Sequence, residues 1–152
     1  VTSTAVADDS APTRIDIGAQ IQLPELSDQF DNSHQFKPHT TWLVFTHDMD
    51  SGFVVKQAFE GLNDQTLATA GIQYYSDISE MPGFVRRIFA MPKFKTLEYP
   101  MILGRETKDL EQLPRQPGQA MLMRIRAGEL INIIATDDPE KIKQQLQLEP
   151  SL

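Results

Sequence analysis

A run of four apolar residues, Trp42-Leu43-Val44-Phe45, leaves few folds open to this chain. The run is rich in strand-forming residues and does not alternate with polar ones, so it indicates a strand that is covered on both faces. Such a strand lies in the middle of a sheet and needs packing partners above and below it. The sequence therefore predicts an α/β protein with this strand at its centre.

Two further segments predict hairpins. Short extended pieces from Ile15 to Phe36 surround the polar cluster Asp31-Asn32-Ser33, which indicates the turn of an N-terminal β-hairpin. Near the other end, strand-like runs at 120–125 and 129–135 are joined at Ala127-Gly128, where glycine tolerates the positive φ of a tight turn.

Helical spacing follows the central run. Val55, Phe59 and Leu62 recur at i, i+4 and i+7, which predicts a helix with Asp50 or Ser51 as its N-cap. Ile72 to Tyr75 predicts the next strand, and Pro139 begins a final helix after Asp137 or Asp138.

A second helix is predicted to open at Ser79-Glu80-Met81-Pro82 and to end or kink at Pro92. One of its sides carries Phe84, Val85, Ile88 and Phe89, and we expect Phe84 and Ile88 to pack in the core because they share a helical face. The stretch from Met91 to Phe94 is a candidate partner surface, since Met and Phe adapt to varied contacts.

The order of these elements is a hairpin, then βαβα, a short extended piece at 99–103, and a closing ββα unit. A parallel beginning followed by an antiparallel end predicts a mixed central sheet with helices on both faces and an N-terminal β-hairpin. We place the domain at residues 15–148, after a leader at 1–14 and before a frayed end at 149–152.

Charge and composition exclude several functions. The formal net charge of −7 opposes general binding to nucleic acids, so we expect no nucleic-acid partner. No segment approaches the roughly 20 apolar residues that cross a bilayer, so we expect no membrane insertion. The sequence has no cysteine and three histidines, and we expect neither a cofactor nor a metal.

Four segments, taken in order, resemble the thioredoxin-like superfamily in its peroxiredoxin and TlpA-like branch. They are IGAQIQLPELSDQF at 17–30, TWLVFTHDMDSGFVV at 41–55, YPMILGRE at 99–106 and AMLMRIRAGELINI at 120–133. The resemblance implies a thioredoxin-like fold over about 17–148. It also implies export to the periplasm of a Gram-negative bacterium, which the small-x-small motif Ala5-Val6-Ala7 favours. A cytoplasmic location is the alternative.

The resemblance also shows what is missing. The C-x-x-C of the family falls near Asp50-Ser51-Gly52-Phe53, and its cis-proline falls near Gln119, after Gly118. Disulfide exchange and peroxide reduction need a thiolate, and a serine hydroxyl does not replace it at neutral pH. We therefore expect a redox-inactive module that binds a protein or peptide between the loop and the segment opposite. The candidate residues are His47, Asp48, Asp50, Ser51, Gly52 and Phe53, with Gly118 and Gln119 facing them.

Three alternatives stay open. His47, Asp48 and Asp50 at the end of the central strand suggest a metal site or a cysteine-independent enzyme, although strand alternation would turn His47 and Asp48 to opposite faces. A subunit of a larger envelope assembly is another reading, and the sequence does not give the oligomeric state. The last is a basic patch for an anionic partner, made of Arg86, Arg87, Lys93 and Lys95.

Overall fold

The computed structural model describes residues 14–148. The leader predicted at 1–14 lies outside this range except for Arg14, and the frayed end predicted at 149–152 lies wholly outside it. Within the described range, two short strands and a larger sheet account for the β structure. They are β1 (Leu26–Ser27), β2 (Ser33–His34), β3 (Trp42–Thr46), β4 (Ile72–Asp77), β5 (Ile102–Gly104), β6 (Ala120–Arg126) and β7 (Glu129–Thr136).

The larger sheet has the order β5-β4-β3-β6-β7. Strands β3, β4 and β5 are parallel to one another, whereas β6 runs antiparallel to both β3 and β7. The predicted central strand is confirmed, because every residue of β3 is buried and β3 has a neighbour on each side.

The helices that the structure describes are α1 (Met49–Ala58), α2 (Asp64–Ala70), α3 (83–94), α4 (Thr107–Leu110) and α5 (Pro139–Leu146). One face of the sheet packs against α1, α2, α3 and α5, with Phe59 and Tyr74 at the centre of that core. The other face is covered by α4 and by the segment that contains the first hairpin. The mixed sheet with helices on both faces is therefore confirmed.

Both predicted hairpins are present, with one difference in position. Ala127 and Gly128 take φ values of 51° and 81° between β6 and β7, as the tight turn requires. In the first hairpin the turn spans residues 28–32, earlier than the predicted cluster, and Ser33 already belongs to β2. The reason is Asp28, whose buried carboxylate accepts hydrogen bonds from the N–H groups of Phe30 and Asn32.

Helix α3 corrects the sequence analysis most strongly. It consists of Gly83–Val85, a π-helical segment Arg86–Ala90, and Met91–Phe94, so Pro92 does not end it: the helix continues to Phe94. The Met91 N–H donates to the Arg86 carbonyl, five residues back, and this extra residue shifts the inward face. Phe84 and Ile88 are 58% and 56% exposed, while Met91 and Phe94 pack against the core. The predicted core and surface positions are thus exchanged.

Candidate functional site

The loop after β3 is held by a capping box at the start of α1. The N-cap is Asp48, whose backbone is extended at φ −144° and ψ 176°, and not Asp50 or Ser51 as predicted. Its Oδ1 accepts a hydrogen bond from the Ser51 N–H at 2.9 Å, while the Ser51 Oγ accepts from the Asp48 N–H at 3.2 Å. The helix starts earlier than predicted because these two side chains satisfy each other's backbone groups. Since Ser51 is fully buried, its hydroxyl serves the helix and does not face a ligand.

The same carboxylate connects the loop to the segment opposite. Asp48 Oδ2 accepts a hydrogen bond from the Gly118 N–H at 2.8 Å, and His47 Nε2 donates to the Gln116 carbonyl at 2.9 Å. Gly118 has a φ of 76°, which favours glycine, and a Cβ there would lie 4.0 Å from the Cβ of Asp50. The two segments that the sequence analysis paired therefore lie side by side, joined by direct hydrogen bonds.

The charge of Asp48 is stabilised at this junction. Burial opposes its ionisation, but the hydrogen bonds from Gly118 and Ser51 outweigh that effect, and the pKa of Asp48 is lowered. The N-terminal end of α1 also favours a negative charge. His47 Nε2 lies 3.7 Å from Asp48 Oδ2, so these neighbours do approach each other: they follow the end of β3, where strand alternation no longer applies. Asp48 acts as a structural clamp with both oxygens engaged.

Arg115 and Asp77 also lie at this edge of the sheet, although neither was a predicted site residue. Arg115 Nη1 donates to Asp77 Oδ2 at 2.9 Å, and the guanidinium lies 5.0 Å from the centre of the Phe45 ring. The ring of Phe45 in turn stacks with that of His47. Asp77 could have been predicted as a neighbour of this site, because it stands at the carboxyl end of β4, next to the end of β3.

The start of α1 exposes three side chains that make no hydrogen bond to the segment opposite. Met49 is 84% exposed and Phe53 is 59% exposed, and they lie one turn apart on α1 with exposed Asp50 between them. Met49 was not among the predicted site residues, although its i, i+4 spacing from Phe53 was a usable signal. The side chains available to a partner here are therefore Met49, Asp50 and Phe53, while Asp48 and Ser51 support them.

The predicted basic patch divides into two parts. Arg86 is half-buried, and its Nη2 donates to the carbonyls of Ile78 and Met81 at 3.3 and 3.2 Å. Arg86 therefore holds the start of α3 to the segment directly before it. Arg87, Lys93 and Lys95 are exposed on α3 and directly after it.

The residues suggested as metal ligands do not converge. Across residues 14–148, no group of three or more His, Asp or Glu side chains is arranged to hold a metal ion. Over the same range, no helix has the length and apolar character needed to span a membrane.

Solved structures with the same architecture identify the fold. Peroxidoxin BcpB from Mycobacterium tuberculosis aligns with a TM-score of 0.55 at 15% identity, over 89% of this chain and 98% of that one. The thioredoxin domain of a thiol-disulfide oxidoreductase from Bacteroides vulgatus aligns with a TM-score of 0.55 at 11% identity, over 87% of this chain and 99% of that one. The chain has the thioredoxin-like fold.

A peroxiredoxin-like protein from Aquifex aeolicus shares the thioredoxin-like fold, with a TM-score of 0.53 at 9% identity, over 90% of this chain and 89% of that one. No protein-family model and no curated protein sequence matches the chain. The thioredoxin-like fold here carries no cysteine among the 152 residues of the sequence. At the position that resembles the cis-proline it carries Gln119, and no cis peptide bond occurs within residues 14–148.

Proposed function

We propose that this chain is a redox-inactive thioredoxin-like module that binds a protein or peptide through the surface at the start of α1. The exposure of Met49 and Phe53 carries the proposal. Large apolar side chains on a rigid, polar-rimmed edge provide contact area to a partner at little entropic cost. Phe53 lies within, and Met49 directly before, the stretch where the resemblance puts the family's dithiol, and that stretch contains no cysteine.

The clamp beneath this surface supports a binding role. Asp48 joins α1 to Gly118, and His47 joins it to Gln116, so two segments far apart in sequence form one preorganised edge. A preorganised surface loses less conformational freedom when a partner binds. We also propose that the module works in the periplasm, because its resemblance extends to TlpA-like chains and the Ala5-Val6-Ala7 motif suits export.

The experiment is site-specific photocrosslinking in cells of the source organism. A photoreactive residue replaces Met49, and in a matched control it replaces Lys108, which is 78% exposed on α4 over the opposite face of the sheet. We expect a protein adduct of defined mass from position 49 but not from position 108. Excess wild-type protein should compete with it, and excess Met49→Asp/Phe53→Asp variant should not. Equal adducts at both positions, or none at position 49, would reject the binding surface.

Location is tested separately. Osmotic-shock release of the full-length protein from the same cells should yield it with periplasmic markers. Recovery with cytosolic markers would remove the periplasm from the proposal and leave the binding surface standing.

A further inference from the structure

Helix α3 exposes an apolar row that the thioredoxin-like core does not use. Phe84, Ile88 and Phe89 are 58%, 56% and 60% exposed, and they are three of the seven large apolar side chains most exposed within residues 14–148. The π-helical segment turns them outward by placing Met91 and Phe94 toward the core instead. Large apolar side chains exposed together on one helix are typical of an interaction surface.

The charge around this row is opposite to that of the rest of the chain. Residues 81–97 hold four of the fourteen cationic residues and none of the 21 acidic ones. Arg87, Lys93 and Lys95 are exposed there, while Arg86 is occupied with the carbonyls of Ile78 and Met81. Residues 83–97 thus form a positive, apolar strip on a protein of net charge −7.

A depression of about 650 Å³ adjoins the end of this strip. Phe53 and Lys56 of α1 form one wall, and Thr96 and Leu97, directly after α3, form another. Glu60 and Glu98 also line the depression. The positive charge of this region therefore lies on the strip and not in the depression. The depression thus lies between the end of the strip and Phe53 on α1.

We infer that α3 and the residues up to Leu97 dock an acidic, amphipathic segment of another protein. Its apolar side chains cover Phe84, Ile88 and Phe89, and its carboxylates face Arg87, Lys93 and Lys95. An anionic bilayer suits the strip less well, because a flat charged surface would also approach the remaining, strongly acidic surface of the chain. The inference rests on the proposed function, in that it names the chemistry of the partner.

The test titrates isotope-labelled protein with three synthetic peptides of equal length. One alternates Glu with Leu and Phe, and the other two replace Glu by Gln or by Lys. We expect amide shifts confined to residues 83–97 with the Glu peptide, binding about tenfold tighter than with the Gln peptide, and clear weakening as salt is added.

The matched variants separate local from overall charge. Arg87→Glu/Lys93→Glu/Lys95→Glu should abolish the shifts. The control Lys37→Glu/Arg126→Glu/Lys141→Glu makes the same change in net charge at exposed positions elsewhere and should bind the Glu peptide within about twofold of wild type, because long-range effects are screened by salt. Unchanged far-UV spectra would show that both variants fold.

Several outcomes would overturn the inference. These are equal binding of the Lys peptide, no shifts with the Glu peptide, or shifts that survive in the Arg87/Lys93/Lys95 variant. Binding to phosphatidylglycerol vesicles with no response to the Glu peptide would assign the strip to a membrane surface. Adducts at position 49 that persist in that variant, with no peptide response at 83–97, would reject this inference while keeping the proposed function.

Discussion

Helices α1 and α3 have the same place in the topology and very different construction. Each follows a strand of the parallel part of the sheet, so both begin at the same edge, and both pack on the same face. Helix α1 has a complete capping box and buries Val54, Val55 and Ala58. Helix α3 has no side-chain cap at the start of any of its three segments, and no residue within it is fully buried.

The difference shows how a surface element is kept in position without a large buried face. Arg86 fixes the start of α3 through the carbonyls of Ile78 and Met81. Gln29 fixes its end, because its Nε2 donates to the Phe94 carbonyl at 3.1 Å. Main-chain contacts of this kind leave the outer side chains free for a partner. We therefore regard α1 as a helix that is anchored in the core and exposes side chains only at its start, and α3 as a helix that is held mainly at its two ends.

The largest expected effect is on the free energy of unfolding, and it comes from removing a buried aromatic ring. Phe59→Ala, at the C-cap directly after α1, should lower the free energy of unfolding by about 3–5 kcal/mol, because its fully buried ring packs edge-on against Tyr74 and Tyr99. Phe89→Ala in α3 should change it by less than about 0.5 kcal/mol. Urea unfolding of both variants measures the contrast, and similar losses would show that the two helices are equally part of the core.

The next largest difference should come from single-residue deletions, which should destabilise the protein more in α1 than in α3. Deletion of exposed Gln57 rotates one part of α1 relative to the other and should cost about 3 kcal/mol or more, since Val54 and Val55 or Ala58 leave the core. Deletion of Phe89 converts the π-helical segment to regular α-helix and keeps Met91 and Phe94 facing inward. It should cost about 1 kcal/mol or less. Thermal melts test this, and loss of folding on deletion of Phe89 would contradict our account of α3.

The cap of α1 is the next smaller effect. Asp48→Ala removes the N-cap and the acceptor for Gly118, and should lower stability by about 1–2 kcal/mol. Asp48→Asn keeps a capping oxygen and should lose less, under about 1 kcal/mol. Chemical denaturation ranks the two variants. Equal losses would mean that the cap contributes nothing and that the contact with Gly118 dominates.

The smallest expected effect is the loss, at low pH, of the stability that charged Asp48 contributes. Because the pKa of folded Asp48 is lowered from 3.8, its charged form stabilises the native state above that value, and this contribution is lost as the pH falls through the folded pKa. The stability difference between wild type and Asp48→Asn should therefore be full near neutral pH and shrink in strong acid. Denaturation curves across that range measure it. A gap that stays constant with pH would show that the charge of Asp48 does not matter.

Short sequence patterns correctly predicted the elements that a few neighbouring residues are enough to specify. The unbroken apolar run identified β3, and glycine next to Ala127 identified the turn between β6 and β7. Helix α2 was not predicted, because only Leu67 of its seven residues is buried and one apolar position gives no period. The inward face of α3 was predicted wrongly, because a pattern read at 3.6 residues per turn fails across a π-helical segment.

For the candidate site, the sequence did not show which side chains hold the loop in place and which are exposed. The loop at 47–53 and the segment at 118–119 were paired only through the resemblance. That Asp48 caps, Ser51 is buried and Met49 is exposed depends on the exact residue at which α1 begins. Arg115 was not predicted as a site residue because its partners, Asp77 and the Phe45 ring, are distant in sequence.

By itself the sequence determined that this chain has a central buried strand, a mixed sheet, a strongly acidic charge and no thiol with which to do redox chemistry. Those properties follow from composition and from periods that a few neighbouring residues define. Only the tertiary structure decided which side chains are left exposed to meet a partner. Exposure depends on where each helix starts and how far it is rotated, and hydrogen bonds between distant residues, such as Asp48 with Gly118 and Gln29 with Phe94, help to fix both.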